Sequence, residues 1–269
     1  MNYSNLTSGI VAIILFQTIL WLISLRKKDA SIVDSFWGML FVLLAGTYMA
    51  SSGVASGRSV LVIILVTIWA SRLSLHIHSR NHGKGEDYRY EAMRREHGPG
   101  KFWWYSYISV FLLQGGLAVL VSMPLLAIMS SPGETWNILD LLGLGLWVFG
   151  FYFEAVSDHQ LVTFKSNPEN KGKLLTRGLW AYTRHPNYFG DTVVWWSYFV
   201  FALAAGHWWS FPGSLVMTLF IFHVSGVKLL EKSLTRSKPG YEDYIRQTPA
   251  FVPNLNPMLR DFKHWLKSL

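Results

Sequence analysis

Of 269 residues, 51% are hydrophobic and only 15% charged, with a mean hydropathy of +0.26. This excludes an ordinary water-soluble domain, in which about a quarter of residues are charged. Cysteine is absent, which excludes disulfides, cysteine-ligated metals and a thiol nucleophile together. A net charge of +8 raises nucleic acid as a partner, but the placement of the basic residues has a different explanation, and no nucleic acid is expected.

Seven apolar runs follow one another at 8–25, 34–52, 59–78, 104–129, 138–160, 188–205 and 211–231, each near the ~17–25 residues that a membrane span requires. The predicted fold class is therefore all-α, a polytopic membrane protein of about seven transmembrane helices. No basic region precedes the first run, and Arg26-Lys27-Lys28 follows it in place of a small-residue cleavage site. It reads as a retained helix rather than a signal peptide. Gly38, Gly46 and Ser51 dilute the second run, and the sixth is short and Trp-rich. Of the 24 Lys and Arg residues, 23 fall in alternate connections and the C-terminal tail, leaving only Arg58 for the other face. By the positive-inside rule the N-terminus lies outside and the C-terminus in the cytoplasm. The two long basic connections, 79–103 and 161–187, have no obvious structure, and loops of that kind are more often functional than accidental.

Several residue groups carry chemistry. Asp34 opens the second span in Asp34-Ser35-Phe36-Trp37-Gly38, and Tyr88 and Tyr90 lie in the basic loop behind Gly85-Glu86-Asp87. Asp34 is equally suited to capping its helix. In the fifth span Glu154, Asp158 and Lys165 share a face at intervals of four and seven. Acidic groups inside a span face a cavity or a partner; the plainer alternative is pairing with loop cations. Thr183-Arg184-His185-Pro186-Asn187-Tyr188-Phe189-Gly190-Asp191 starts the sixth span, with Pro186 in the first turn. The free N–H groups of that turn, the helix dipole, Arg184 and His185 converge on a site for an anion, phosphate above all. A capped helix start with Arg184 on lipid headgroups fits the same residues. Asn187 and Asp191 share a helix face. Lys228, Glu231 and Lys232 pair at helical spacing near the end of the seventh span, before a polar tail able to close over a site from below. His76 and His78 point to different helix faces, and no metal is expected.

Taken together, Asp34-x-x-Trp37-Gly38, Glu86-Asp87-x-Arg89-Tyr90, Gln114-Gly115, Glu154-x-x-x-Asp158-x-Gln160-Leu161-x-x-Phe164-Lys165, Gly178-Leu179-Trp180-x-Tyr182-x-Arg184 running on to Asp191, and Tyr241-x-x-Tyr244 resemble the steroid 5α-reductase superfamily, specifically its bacterial DUF1295 branch. The likeness covers nearly the whole chain and is densest from 150 to 253. It implies a seven-helix reductase of CH–CH bonds that holds NADPH in its C-terminal helices and loops. Residues 1–130 would form the substrate-side helices and 131–269 the cofactor-binding part of one membrane domain, 1–269. By motif position Asp158, Lys165, Asn187, Asp191 and Lys228 match cofactor ligands of the characterised reductases. Asp191 stands for their glutamate, and Lys165 and Lys228 for arginines, a point charge in place of a bidentate fork. Glu154 departs from an asparagine. Tyr182, Arg184, His185 and Glu231 complete the expected cofactor-binding set. The family's glutamate and tyrosine, which grip an enone carbonyl, have no matched positions; Asp34 and the Tyr88/Tyr90 loop are catalytic candidates by chemistry alone.

Two enzyme classes follow. One is an NADPH-dependent reductase of a conjugated double bond in an apolar, lipid-like enone that enters from the bilayer. The other rests on Arg184-His185-Pro186-x-Tyr188-x-Gly190 with Glu231 and Tyr241-x-x-Tyr244, which is similar to the isoprenylcysteine carboxyl and phospholipid methyltransferases and implies S-adenosylmethionine. A non-catalytic lipid-binding protein is the third reading. Five basic residues between 161 and 187 suit a cofactor rich in phosphate and favour the reductase. The composition and the lack of a sorting motif fit a bacterial inner membrane.

Overall fold

A computed structural model describes residues 3–132, 135–225 and 227–254. Among these the regular elements are all helical: α1 (Tyr3–Lys27), α2 (Ile32–Ser52), α3 (Gly57–Asn81), α4 (Tyr88–His97), α5 (Pro99–Ser106), a π-helical stretch Tyr107–Leu112, α6 (Leu113–Val121), α7 (Met123–Met129), α8 (Ile138–Ser166), α9 (Pro186–Ala204), α10 (Phe211–Leu219), a second π-helical stretch Phe220–Ser225, α11 (Val227–Ser237) and α12 (Tyr241–Gln247). Five helices are long and apolar enough to cross a membrane: α1, α2, α3, the continuous Pro99–Val121, and α8. The two remaining apolar runs are helical as well, as α9 and as α10 with α11, but they are not among those five. Asn187, Asp191, Thr192 and paired tryptophans lower the hydropathy of α9, and a π-helical stretch interrupts the last run.

The expected boundaries shift for local reasons. The fourth apolar run ends at Val121 because Pro124, which has no N–H to donate, begins a new short helix. The long loop after α3 is largely helical: Asp87 caps α4, its side chain accepting from the Arg89 N–H at 3.0 Å. Helix α8 runs on to Ser166, about three turns past Glu154.

The chain divides into two compact units, one of Met1–Asp140 with Tyr198–Gly213 and one of Leu141–Ser197 with Ser214–Leu269. In the first, α1 packs on α2 and α2 on α3. The inner stripe of α1 is Asn5, Gly9, Ile13, Gln17, Leu20 and Ser24, at intervals of three and four, while Ile10, Val11, Ile14 and Leu15 are exposed. Apolar residues outward and small or polar residues inward is what a helix in lipid requires, since hydrocarbon gives no hydrophobic reason to hide leucine. Gly38 brings α2 onto α3: a Cβ there would lie 3.0 Å from the Ala70 Cα. Arg58, the one basic residue outside the alternate connections, is buried and makes a two-pronged ion pair with Asp140 at 2.6 and 2.8 Å.

In the second unit, α8 and α9 cross through paired glycines. A Cβ on Gly190 would stand 2.5 Å from both the Gly150 carbonyl and the Glu154 N–H, and one on Gly150 would stand 2.7 Å from the Gly190 carbonyl. Only hydrogen fits at either position. Phe153, Phe189, Phe251 and Phe222 then interlock edge to face at 5.5–6.0 Å.

Candidate functional site

The glycine crossing decides which polar groups meet. Asp158 stands one turn after Glu154 on α8, and Asn187 stands one residue into α9. Asn187 Nδ2 donates to Asp158 Oδ1 at 3.1 Å. Its own Oδ1 accepts from the Tyr188 N–H at 3.0 Å, which meets one of the free donors at the helix start. Glu154 and Asp158 are both buried, and Asp191 is half-buried one turn beyond Asn187.

A second cluster is built around Arg184. Residues 248–254 run alongside 182–185: the Arg184 N–H donates to the Pro249 carbonyl at 2.9 Å, the Asn254 N–H to the Tyr182 carbonyl at 2.8 Å, and Thr183 Oγ1 to the carbonyls of Ala250 and Phe251. The Arg184 guanidinium, buried, donates to Glu231 Oε1 through Nε at 2.8 Å and Nη2 at 2.6 Å. Its Nη1 donates to the carbonyls of Ile245 and Thr248 at the C-terminal end of α12, where a cation complements the helix dipole. His185 Nε2 lies 3.3 Å from the same Glu231 oxygen, and its ring stacks on Tyr188. Burial pushes the His185 imidazole below its ordinary 6.5, against the opposing pull of Glu231. Burial and the Glu231 charge raise the Tyr241 phenol to about 12.

The structure thus brings together Asp158 with Asn187, and Arg184 with His185 and Glu231. The Arg184 guanidinium turns to Glu231 and α12 rather than to the open turn of α9. Lys165 is exposed, about two turns beyond Asp158, and Tyr182 is half-buried against the C-terminal segment. Lys228 is helical in α11, but its side chain lies outside the described residues.

The first unit holds the other polar cluster. Asp34 accepts from the Tyr90 hydroxyl at 2.7 Å and from Arg89 Nη2 at 2.7 Å, and Gln114 Nε2 donates to the Tyr90 oxygen at 3.3 Å. Glu86 anchors this arrangement, accepting from the Ala30 N–H at 2.7 Å and from both ends of the Arg94 fork. Arg94 in turn lies over the Phe102 ring at 4.2 Å. Tyr88 is 74% exposed, whereas Tyr90 is buried among Leu20, Val33, Phe102 and Phe111. Burial and the Asp34 charge hold the Tyr90 phenol well above its ordinary 10, so it remains a proton donor at any physiological pH. Sequence reasoning left Arg89 and Gln114 in motifs without roles and offered Tyr90 only as part of the Tyr88/Tyr90 loop. The signal was the cap: with Asp87 closing α4, the first helical residue faces out and the third faces in.

The family described as "Protein of unknown function (DUF1295)" matches residues 20–248. An uncharacterized protein of Schizosaccharomyces pombe is 25% identical, over 98% of this chain and 83% of its own length. The 3-oxo-5-alpha-steroid 4-dehydrogenase 1 of Homo sapiens is 31% identical over 44% of this chain and 41% of the enzyme. A probable O-methyltransferase of Ustilaginoidea virens is 29% identical over 46% of this chain and 39% of its own length. The matches to the two enzymes span about two fifths of their lengths. No solved structure matches the chain.

Proposed function

The chain belongs to the DUF1295 family, within the steroid 5α-reductase-like superfamily, and from that premise we propose that it is an integral membrane reductase that uses NADPH to saturate a conjugated C=C bond in an apolar enone. The observation that carries this reading is the Asp158–Asn187 pair at the glycine crossing. Carboxylate and amide side chains are acceptors and donors for ribose hydroxyls and a carboxamide, so the residues present fit the nucleoside parts of such a cofactor. The phosphates fall to Lys165 and Lys228, since Arg184 is held by Glu231.

NADPH, when bound, supplies the hydride. The chain's own residues do the rest. Asp158 and Asn187, with Asp191 on the same face, hold the nucleotide. Arg184, His185 and Glu231 lock the C-terminal segment onto the start of α9, which keeps water from the unit's interior. In the first unit the Tyr90 hydroxyl, oriented by Asp34 and Gln114, is the group suited to hydrogen-bond an enone oxygen as negative charge develops there. To do so it exchanges its bond to Asp34 for one to the substrate, and a phenolate left by giving up the proton takes one back from water. We assign Asp34 and Tyr90 to this step, and Tyr88, at 74% exposure, to none. Seven spans, with the N-terminus outside and the C-terminus in the cytoplasm of a bacterial inner membrane, complete the proposal.

S-adenosylmethionine is the second reading. The methyltransferase-named relative favours it, as do the buried carboxylates of Glu154 and Asp158 one turn apart on α8, which suit a sulfonium and an amine better than phosphates. Calorimetric titration of the purified protein with each cofactor separates the two. The reductase reading expects NADPH to bind and Asn187→Ala to weaken it; binding of S-adenosylmethionine with no response to NADPH overturns it.

A further inference from the structure

A cavity of about 610 Å³ opens beside the last turns of α8, in the second unit. Its wall on α8 is His159, Gln160, Thr163 and Phe164. At about 100° per residue these lie on the side of the helix opposite Glu154, Asp158 and Lys165, so the cavity is turned away from the Asp158–Asn187 pair.

The far wall is the connection to α9, tied to α8 at both ends. Asn167 Oδ1 accepts from the Glu169 N–H at 3.0 Å to make a tight turn, and Asn170 Nδ2 fastens that turn to the Phe164 carbonyl at 2.9 Å. At the other end Gln160 Oε1 accepts from the Leu179 N–H at 3.1 Å, and the Trp180 indole donates to the Ser157 carbonyl at 3.1 Å. Gly178, with φ +64°, lets the chain pass where any Cβ would stand 2.5 Å from Gln160. The opening is therefore framed by hydrogen bonds and lies within the usual size of a small-molecule site, roughly 300–1,000 Å³.

Its lining has one sign of charge. Arg177 lines it, exposed and with no ion-pair partner among the described residues; no carboxylate lines it. Thr163, His159 and the Asn167 amide add hydrogen-bonding groups, over a floor of Phe164 and Leu175. Lys171 and Lys173 stand in the same connection. A guanidinium fork with neutral donors beside it matches a phosphate, and the apolar floor matches whatever carbon skeleton the phosphate carries. Depth points the same way. Helix α8, with 29 residues, is roughly 43 Å long against about 30 Å of hydrocarbon. With Asp140 at one membrane edge, His159 to Ser166 stand at headgroup level on the other. Basic pockets at that level bind anionic headgroups.

We propose that this cavity is a binding site for a phosphate group, carried by an anionic phospholipid or by a soluble phosphate ester, with Arg177 as its charged contact. It is separate from the cofactor site and does not depend on which cofactor the protein uses.

The test uses the full chain in a neutral detergent, with the thermal unfolding midpoint as readout and two probes, dihexanoyl phosphatidic acid and glycerol 3-phosphate. Wild type should unfold at higher temperature with at least one probe. A response to the lipid alone assigns the lipid source, and an equal response to both assigns a soluble ester. Arg177→Gln and His159→Glu, both at exposed positions, should each weaken the response at least tenfold in probe concentration, while Lys171→Gln, outside the lining, should keep it. No response of wild type to either probe, or an undiminished response in Arg177→Gln, overturns the proposal. NADPH titrated in parallel guards the independence of the site: an Arg177→Gln protein that loses NADPH along with the probes would make the cavity part of the cofactor site and overturn its separateness.

Discussion

The Tyr90 hydroxyl sits 2.7 Å from Asp34 Oδ1, joining the first helix of the basic connection to the start of α2. Tyr88, two residues earlier, points to solvent. Tyr90→Phe should therefore abolish reduction of an enone probe while leaving NADPH affinity unchanged, at a stability cost of about 1.5–3 kcal/mol for the lost bond to a charged acceptor. Tyr88→Phe should change neither. Steady-state reduction of a 3-oxo-Δ4 enone by both variants, with NADPH titration alongside, checks this; full activity in Tyr90→Phe removes the tyrosine from the chemistry.

Arg184 behaves differently from the phosphate contact expected from its place before a helix start. Its guanidinium is already occupied by Glu231 and two carbonyls of α12. Arg184→Ala strands a partly buried carboxylate and uncaps α12, so the main effect should be a loss of stability, about 3–5 kcal/mol, as when one partner of a buried pair is removed. Unfolding midpoints of Arg184→Ala, Glu231→Ala and the double variant give the coupling directly. A weakened cofactor affinity at unchanged stability would restore the phosphate role.

His185 gives this cluster a pH dependence. Buried beside Arg184 and Glu231 and stacked on Tyr188, it titrates below its ordinary 6.5. The unfolded chain takes up a proton near pH 6.5 while the folded chain does not, so the neutral imidazole's contribution is fully present above pH 6.5 and is lost as pH falls toward the folded value. The midpoint of wild type should drop below pH 6.5 more steeply than that of His185→Gln. Parallel curves for the two would show that other groups carry the acid sensitivity.

Arg58 and Asp140 test the first unit. Both side chains are about 95% buried and the pair is bidentate. Arg58→Ala should destabilise by about 3–5 kcal/mol because Asp140 is left buried and charged, whereas replacing both by Met and Leu should cost far less. Denaturant titration in detergent distinguishes the two; equal losses would mean that the ion pair itself, rather than the stranded charge, carries the energy.

Much of this architecture was legible in residue order. Five spans follow from apolar runs, because lipid selects hydrophobic length directly. The Asp158–Asn187 meeting was foreshadowed by motif position, and helical spacing put Glu154 and Asp158 on one face. The direction of Arg184 was not legible, because its acceptors lie 47 to 64 residues away and arrive only when α11 and α12 fold back. The choice of Tyr90 over Tyr88 needed the cap that fixes the rotation of α4. The cavity at Arg177 arises from two loop attachments, neither of which leaves a periodic trace.

The nucleotide site rests on the close crossing of α8 and α9. Gly190 lies against backbone on both sides, its missing Cβ 2.5 Å from the Gly150 carbonyl and from the Glu154 N–H. Backbone cannot yield as a side-chain tip does, so Gly190→Ala must push α8 and α9 apart. Overpacking of this kind costs about 1–3 kcal/mol in stability. The larger consequence is geometric. Asn187 is three residues before Gly190 and reaches Asp158 at 3.1 Å, near the far limit of a good N–H···O bond, so a further separation of a few tenths of an ångström breaks it. Gly190→Ala should therefore lose cofactor affinity at least tenfold in a protein that still inserts and folds. Gly145→Ala, on α8 where a Cβ meets nothing within 4 Å, should be silent. If Gly190→Ala bound NADPH as wild type does, the close crossing would be a matter of packing alone, and the Asp158–Asn187 pair would lose its claim to the nucleotide.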